Sequence, residues 1–455
     1  GNGERNRKRS WPCLIASLAT STKSRERSIL ANMAYITYTE LAEEQKKPLE
    51  YKIEKAVEAI GQGFAVCKHQ AALAFSGGKD STVLWHLIRT HFPAKAETMA
   101  IIYGNTGVEY PESLKFARKL GAEWGGENFH EVRPLPLEKD GLKYSAQQEV
   151  LNWLIETRKI GEVLKADGKL KNTEILMRVC PSEMLDKFYA NRQIWKAGTP
   201  KHYAWCVDQY GYPLLGKAFS KLTAHRINID CFLRFSQSES QDKKLLEYYR
   251  ILKQVKISQA CCHFLKKEPS EAKQAELKVD VIFKGLMAAE SRSRAQNFLS
   301  RGYLFKSRRK YLGKDPFYHC NPLQIWTDDD IWEYIHRFDV PYSDLYHCGY
   351  LDAEGNLRCI PRNGCMPCGT DLLFRNNHLS VLRRTHPKAW QAFMRQGLGA
   401  EIRKLQQAKR KGQLSIFDAF DISELIEMQP CFFDDIREIT LFDDTFYSDE
   451  YDSEV

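Results

Sequence analysis

A short glycine-containing stretch, Ser76-Gly77-Gly78-Lys79-Asp80-Ser81-Thr82, constrains the fold of this 455-residue chain more than any other feature. It follows the apolar run 71–75, which predicts a buried strand, and it precedes residues 83–88, whose apolar positions fit the period of a helix. Glycines let a backbone come close to a ligand, and the free N–H groups and dipole of a helix N-terminus favour an anion. We therefore predict a strand, an anion-binding turn and a helix in succession.

The side chains of this turn indicate that the anion is a phosphate. The groups that would hold it are the amides of Gly77 and Gly78, the hydroxyls of Ser76, Ser81 and Thr82, and the ammonium group of Lys79. The spacing does not fit the Gly-x-x-x-x-Gly-Lys-Ser/Thr loop, so transfer of a terminal phosphate is not the expected reaction. The stretch instead resembles the pyrophosphate loop of the adenine nucleotide alpha hydrolases, which cut between the α and β phosphates.

That resemblance implies a bound ATP or related nucleotide with Mg²⁺, and catalytic roles for Lys79, Asp80 and Ser81. Two alternatives stay open. The stretch can be a hydrophilic strand-to-helix turn without a ligand, and Asp80 can simply cap a helix that begins at Ser81.

The residues on either side of the turn repeat the alternation of strand and helix. Apolar residues at 49, 53, 57 and 60 predict an amphipathic helix, and residues 99–103 predict a second strand. A helix is expected from about Pro111 and a third strand at 129–132. This order predicts an α/β fold with a doubly wound parallel sheet, whose ligand binds beyond the carboxyl ends of the strands. Asn105, Thr106 and Gly107 lie at such an end, and we predict that they bind the nucleotide.

Charge and composition divide the chain into five regions. Residues 1–32 are a basic extension, expected to be disordered, and Met33 is the expected natural start. Residues 33–133 form the nucleotide-binding half, 134–256 a mainly helical insertion with a helix near 245–252, and 257–411 the second half. Residues 412–455 hold 13 Asp and Glu against one Arg, so this tail has a net charge of −12 and the rest of the chain +21. We expect the tail to be disordered, and a basic body favours nucleotides or nucleic acid as partners.

Several other classes are disfavoured. No apolar run approaches the roughly 20 residues of a membrane span. Thirteen scattered cysteines in a chain of this length do not form a secreted disulfide framework, which predicts a reducing, cytoplasmic location and a metal-binding or catalytic use. The alternative is a secretory signal, which the basic residues and short apolar patch at 5–19 resemble only faintly.

Four cysteines form the most informative constellation. Cys261 and Cys262 are adjacent, and Cys365 and Cys368 form a Cys-x-x-Cys turn. Four thiolates suit a [4Fe-4S] cluster or zinc. Adjacent side chains tend to diverge, which suits the separate irons of a cluster better than one zinc ion. Cys359 is the expected substitute ligand, and buried cysteines without a metal are the alternative.

These cysteines lie among segments that together resemble the phosphoadenosine phosphosulfate (PAPS) reductase family. Residues 261–269 are similar to its Cys-Cys and Lys-x-x-Pro segment, and 285–294 to its Gly-x-x-Ala-x-Glu-Ser segment with a following arginine. Residues 321–335 and Pro341 look like its Pro-Leu-x-x-Trp helix and Val-Pro turn, within which Thr327 and Asp330 form a capping box. The resemblance covers about 73–390 without the insertion.

The resemblance implies that Lys266, Lys267, Arg292 and Arg294 bind phosphate or sulfate oxygens. Glu290 would orient an arginine or bind Mg²⁺, or else form a structural ion pair. The chain also departs from the family: the Glu-Cys-Gly-x-His motif of assimilatory reductases is absent, and the only cysteine after Cys368 is Cys431. The phosphate loop, by contrast, is intact.

We therefore expect an ATP pyrophosphatase of this family, resembling cluster-bearing enzymes of sulfur incorporation such as those of DNA phosphorothioation. It would act in sulfur transfer or adenylation, with a sulfur donor protein as partner. The first alternative is a sulfonucleotide (APS or PAPS) reductase that uses a thiol reductant protein such as thioredoxin. The second is a regulator that binds nucleic acid.

Overall fold

A six-stranded sheet forms the centre of the protein. The computed structural model describes residues 37–159, 173–214, 256–307, 317–352, 355–372 and 377–410. The strands are β1 (Gln70–Phe75), β2 (Ala100–Gly104), β3 (Phe129–Val132), β4 (Gly141–Leu142), β5 (Ile194–Trp195), β6 (Val279–Phe283), β7 (Leu304–Lys306), β8 (Tyr318–Cys320), β9 (Gly349–Leu351) and β10 (Leu357–Cys359). The order in the central sheet is β3-β2-β1-β6-β8-β7. Its neighbouring strands are parallel except β7, which runs antiparallel to β8 at the edge.

Helices follow most of these strands. They are α1 (Tyr38–Glu44), α2 (Leu49–Val66), α3 (Lys79–His91), α4 (Pro111–Leu120), α5 (Tyr144–Glu156), α6 (Thr173–Val179), α7 (Ser182–Ala190), α8 (Tyr203–Gln209), α9 (Glu268–Glu276), α10 (Arg292–Arg301), α11 (Asp328–Phe338), α12 (His378–Thr385), α13 (Pro387–Phe393) and α14 (Gly399–Arg410). A single helical turn, Pro93–Ala96, precedes β2. The predicted amphipathic helix, the helix from Pro111 and the three predicted strands are therefore all present.

Both faces of the sheet are covered, as a doubly wound fold requires. Side chains alternate along each strand, so Leu73 and Ile101 enter a large apolar cluster that also contains Trp85 of α3. Ala72 and Ile102 point the other way, into a smaller cluster that packs against Leu277 at the end of α9. The sheet therefore carries a buried layer on each side, and its strand ends are left free to form a site.

A buried ion pair joins two helices of the larger cluster. Lys52 of α2 lies 2.5 Å from the carboxylate of Asp330 in α11, and the Lys52 side chain is only 2% exposed. Thr327 and Asp330 form the predicted capping box, in which each side chain bonds the other residue's backbone N–H. Asp330 thus caps α11 and neutralises Lys52, so both groups are satisfied in the core.

The predicted insertion is described in part. Helices α5, α6 and α7 pack together with the β4–β5 ribbon around Phe188. Residues 203–214 instead join a cluster that contains Cys261. The predicted helix at 245–252, the basic extension 1–32, the Met33 start and the acidic tail 412–455 lie outside the described residues. Within the described ranges, no helix is long and apolar enough to span a membrane.

Candidate nucleotide and cysteine site

The turn after β1 has the backbone of an anion-binding loop. Gly77 has a φ of +68°, and a Cβ placed there would lie 3.0 Å from the Ala117 Cβ and 3.2 Å from the Ser113 carbonyl oxygen. Only glycine adopts this conformation without strain. Helix α3 begins at Lys79 with Gly78 as its N-cap. The helix therefore starts before Ser81, and Asp80 lies inside its first turn instead of capping it.

The loop hydroxyls shape the loop itself. Ser81 and Thr82 donate hydrogen bonds to the Gly78 carbonyl at 2.9 and 3.1 Å, and Ser81 Oγ also accepts from the Ser76 amide at 3.2 Å. Ser81 and Thr82 are almost completely buried. Ser76 Oγ lies 3.0 Å from Ser81 Oγ and accepts from the Gly78 amide. The three hydroxyls thus hold the turn in place from within.

Lys79 is buried beside the loop and already carries two acidic partners. Its ammonium nitrogen lies 3.0 Å from Asp80 Oδ1 and 2.6 Å from Asp328 Oδ1, and the side chain is 2% exposed. Burial lowers the pKa of Lys79, but the carboxylates outweigh burial and the net pKa is raised. Lys79 therefore stays charged, and a phosphate in the loop would compete with these carboxylates for it.

Residues far along the chain complete the loop. Tyr346 accepts a hydrogen bond from the Lys79 amide at 3.1 Å. Asn363 donates to the Ser76 carbonyl at 2.8 Å, and its buried Oδ1 has no hydrogen-bond partner in the described chain. Gly285 of the Gly-x-x-Ala-x-Glu-Ser segment packs against α3, since a Cβ there would lie 2.8 Å from the Asp80 carbonyl oxygen. Local sequence patterns do not single out Asp328, Tyr346 or Asn363.

The end of β2 is held by its own hydrogen bonds. Asn105 donates to Glu131 and accepts from the Gly107 amide, both at 2.8 Å. Thr106 donates through its hydroxyl to Glu109 at 2.7 Å, and the same hydroxyl lies 3.6 Å from the Cys365 sulfur. These residues, predicted to bind nucleotide, therefore connect the strand end to the cysteine turn.

The arginines of the 285–294 segment surround Glu290. Glu290 pairs with Arg294 and, at 3.3 Å, with Arg362, and it accepts from the Met287 amide at 3.1 Å. Burial and then the charge of Arg362 lower the pKa of Arg294. Arg292 is exposed at the first turn of α10. Glu290 thus forms ion pairs with both arginines, as both the arginine-orienting and the structural ion-pair hypotheses require.

The four predicted ligand cysteines come together. Cys368 and Cys365 close a turn through a backbone hydrogen bond of 3.1 Å. Cys261 donates to Cys262, which lowers the pKa of Cys262 to about 6, helped by Lys266 and Lys267. The negative charge of Cys365, hydrogen-bonded to Lys266, raises the pKa of that lysine. The charge of Cys365 also acts on Cys261, and that of Cys262 on Cys368, so the two pairs lie near each other.

Two observations test whether these cysteines fit a cluster. No three of the four sulfur atoms, all within the described chain, lie within 4.8 Å of one another. Thiolates on one tetrahedral zinc would be about 3.8 Å apart, so the spacing is wider than a single ion requires. The Tyr203 hydroxyl is buried without a hydrogen-bond partner in the described chain. Burial raises the pKa of Tyr203, and the charges of Cys261, Cys368 and Cys365 raise it further. The spacing of these four sulfur atoms is therefore not that of one tetrahedral zinc ion.

A pocket joins the two halves of the site. Its lining includes Ser76 of the loop, Gly104 at the end of β2, Glu109, Lys266 and the segment Asn363-Gly364 immediately before Cys365. It opens at the carboxyl ends of β1 and β2, where an α/β sheet binds its ligand. Cys359, the expected substitute ligand, is exposed on the β9–β10 ribbon. Fold and site together define an α/β protein with a turn of the anion-binding type after β1 and a Cys-x-x-Cys turn beside the same pocket.

Comparisons with known proteins identify the family. A sequence model of the phosphoadenosine phosphosulfate reductase domain matches residues 70–177 and 207–370, more than half of the chain. The chain belongs to this family. The match leaves out 178–206, which lies inside the predicted insertion.

Individual relatives are more distant. A PAPS reductase of Xylella fastidiosa is 34% identical over 86 residues, which cover 19% of this chain and 32% of that protein. Adenosine 5′-phosphosulfate reductases of Burkholderia cepacia and Staphylococcus epidermidis are 28% and 32% identical over 134 and 124 residues, covering 29% and 26% of this chain and 45% and 39% of theirs. The chain thus spans less than half the length of these relatives.

A solved PAPS reductase from Candida auris, in complex with phosphate, is 13% identical, with a TM-score of 0.32, and covers 73% of this chain and 95% of its own. The three relatives found by sequence are named as sulfonucleotide reductases, which favours the reductase alternative over the ATP pyrophosphatase expected from the loop. They give the nucleic-acid hypothesis no support.

Proposed function

We propose that this chain is a sulfonucleotide reductase, which binds APS or PAPS and reduces its sulfate group to sulfite with thiols. The observation that carries the proposal is the pocket that connects Ser76 of the phosphate loop to Lys266 and to the residue before Cys365. A nucleotide whose phosphate lies on the loop would extend its sulfate toward this thiol centre. The reductase names of the relatives support the same substrate class.

The loop supplies the phosphate site. The amide of Gly77 and the positive end of the α3 dipole favour the α-phosphate, since both act on an anion without any rearrangement. The Oδ1 of Asn363, which has no hydrogen-bond partner among the described residues, offers an acceptor at the pocket wall, as a nucleotide amino or hydroxyl group requires. Glu290 pairs with Arg294 and Arg362, and the charge of Asp80, in the loop, also acts on Arg294.

We further propose that Cys261, Cys262, Cys365 and Cys368 hold a [4Fe-4S] cluster. When bound, the cluster would supply a fixed charged group beside the pocket. Lys266 contacts Cys365 and also lines the pocket, so its ammonium group is placed to bind a sulfate oxygen while it offsets the charge of the thiolates. Tyr203 would donate its buried hydroxyl proton toward the same centre.

The proposed reaction uses two thiols. A cysteine thiolate attacks the sulfate sulfur, a sulfur–sulfur bond forms, and the bond from that sulfur to the phosphate oxygen breaks, which releases AMP from APS or adenosine 3′,5′-bisphosphate from PAPS. A thiol of a reductant protein then attacks the cysteine sulfur, forms a disulfide and releases sulfite. Cys431, the only cysteine after Cys368, is the candidate for the first thiol and lies outside the described residues.

A second candidate function is cleavage of ATP between the α and β phosphates. The intact Ser-Gly-Gly-Lys-Asp-Ser loop favours it, since a leaving pyrophosphate needs the same amides, Lys79 and Mg²⁺. The two candidates differ in substrate and in product, which makes them separable by one experiment.

The experiment incubates the anaerobically purified full chain with sulfur-labelled APS, sulfur-labelled PAPS and α-labelled ATP in separate reactions with a dithiol. The proposal predicts labelled sulfite from APS or PAPS, and its loss in Cys431→Ser. Cys180→Ser is the matched control, because Cys180 packs in the separate cluster around Phe188. AMP and pyrophosphate from ATP, without sulfite from either sulfonucleotide, would instead establish the second candidate.

A further inference from the structure

A second group of metal-ligating side chains lies outside the cysteine centre. Glu112, Cys348 and His386 each offer one ligand atom, and these three atoms lie within 4.8 Å of one another. Glu112 belongs to the first turn of α4, Cys348 follows the turn Asp344–His347, and His386 lies between α12 and α13. Three distant parts of the chain therefore bring a carboxylate, a thiol and an imidazole to one point.

We propose that Glu112, Cys348 and His386 form a binding site for one Zn²⁺ ion. Nitrogen, sulfur and oxygen ligands are those that zinc takes in proteins, and three protein ligands leave a fourth position for water. Ligands about 2.1 Å from a tetrahedral ion lie about 3.4 Å apart, and the His386 Nε2 to Glu112 Oε1 distance is 3.2 Å. The side chains of His386 and Glu112 are 16% and 31% exposed, so an ion can reach them.

The hydrogen bonds around His386 prepare its Nε2 for a metal. The Thr385 hydroxyl donates to the Val381 carbonyl at 2.9 Å, so its oxygen accepts from His386 Nδ1, also at 2.9 Å. With the proton on Nδ1, a neutral imidazole directs its Nε2 lone pair at the carboxylate oxygen. Two lone pairs at this distance repel unless a cation or a second proton lies between them.

The carboxylate of Glu112, like the imidazole of His386, indicates that a cation is missing from this group. Its other oxygen, Oε2, is buried and has no hydrogen-bond partner within the described ranges. Asp344 adds negative charge close to Cys348. This negative charge would attract a divalent cation. The carboxylate of Glu112 would then bind the cation through one or both of its oxygens.

The ion would stabilise the phosphate loop through the two segments that contact it. The turn Asp344–His347 carries Tyr346, which bonds the Lys79 amide, and it packs against α4. The Ser113 carbonyl of α4 lies against Gly77. A zinc ion would therefore tie together the two segments that contact the loop, which makes the site structural for nucleotide binding.

The competing explanation is an ion pair without metal, in which a protonated His386 donates a hydrogen bond to Glu112 and Cys348 takes no part. His386→Gln separates the two explanations, because an amide can still donate to Glu112 but is a poor ligand for zinc. Cys348→Ser removes the thiolate in the same way. Cys180→Ser, in the separate cluster around Phe188, and His347→Gln, in the neighbouring turn, are the control variants.

The test measures zinc binding to the full chain by anaerobic equilibrium dialysis. In a Cys365→Ser/Cys368→Ser background, stripped of metal by a chelator, we expect one bound zinc, an affinity lowered at least about 100-fold by Cys348→Ser or His386→Gln, and no change in either control. Unchanged zinc affinity in both ligand variants, or an equal loss in the controls, would overturn the proposal.

A second readout leaves the four cysteines unchanged and decides the matter if that background fails to fold. In the metal-free wild-type chain, saturated with zinc, Cys348→Ser and His386→Gln should each lower the bound zinc by one equivalent. Zinc should also raise the melting temperature of the metal-free wild-type chain by more than it raises that of His386→Gln. Equal stoichiometry in the wild type and both ligand variants would show that no ion binds here.

Discussion

Replacing Gly77 with alanine tests the phosphate loop directly, because the structure separates two costs at this position. The first is conformational: at a φ of +68° an L-residue costs about 1–2 kcal/mol. The second is contact, since the new Cβ would lie 3.0 Å from the Ala117 Cβ and 3.2 Å from the Ser113 oxygen. A contact of this kind adds about 1 kcal/mol, so we expect a loss of about 2–3 kcal/mol in the free energy of unfolding.

Gly126 provides the matched control. Its φ is +52°, but a Cβ there meets nothing within 4 Å, and it precedes β3 at the end of the sheet away from the pocket. Gly126→Ala should therefore cost only the conformational term, about 1–2 kcal/mol, and leave nucleotide affinity unchanged. Gly77→Ala should lower nucleotide affinity at least about tenfold, which corresponds to about 1.4 kcal/mol.

Urea unfolding and calorimetric titration with APS, PAPS and ATP measure both quantities on the same preparations. If Gly77→Ala and Gly126→Ala lose the same stability and both bind nucleotide like the wild type, the loop has neither the strain nor the ligand that we assign to it.

Three further predictions concern charged groups. Lys79→Ala should lower turnover about 100-fold while the protein stays folded by circular dichroism, and normal turnover would remove Lys79 from the mechanism. Lys52→Met should lower the free energy of unfolding by about 3 kcal/mol because it leaves Asp330 buried without its cation, whereas Lys55→Met, in a pair whose lysine is 40% exposed, should change it by less than about 1 kcal/mol. Burial raises the pKa of Glu131, but Arg118 and Asn105 outweigh it and the net pKa is lowered from 4.5. Its contribution to stability is therefore present above pH 4.5 and lost as pH falls below that value, so the stability difference between the wild type and Glu131→Gln should shrink in acid unfolding curves, and a difference independent of pH would contradict this.

Local sequence patterns predicted the elements that depend on neighbouring residues. The strand at 129–132 has the predicted bounds, the amphipathic helix runs from Leu49 to Val66, and the Thr327 capping box is present. Each depends on residues within a few positions of one another, where period and capping chemistry decide the structure. The family and the α/β fold followed from the same patterns together with the motifs.

The rest of the site depends on contacts between distant segments, which local patterns do not contain. The local pattern predicts a phosphate ligand for Lys79, but it contains no sign that Asp328 of α11 pairs with the ammonium group or that Tyr346 accepts a hydrogen bond from the amide. The alternative in which Asp80 caps a helix from Ser81 is wrong, because α3 starts at Lys79 and the hydroxyls of Ser81 and Thr82 bond the Gly78 carbonyl. The group of Glu112, Cys348 and His386 likewise spans more than 270 positions of the chain.

The central claim is that a sulfonucleotide binds with its phosphate on the Gly77–Gly78 loop and its sulfate toward Lys266. A crystal structure of the full chain, grown anaerobically with PAPS or APS, tests this most directly. The account predicts the α-phosphate within hydrogen-bond distance of the loop amides and a sulfate oxygen within hydrogen-bond distance of the Lys266 ammonium group. A nucleotide bound elsewhere, or with its sulfate directed away from Lys266 and the four cysteines, would contradict it.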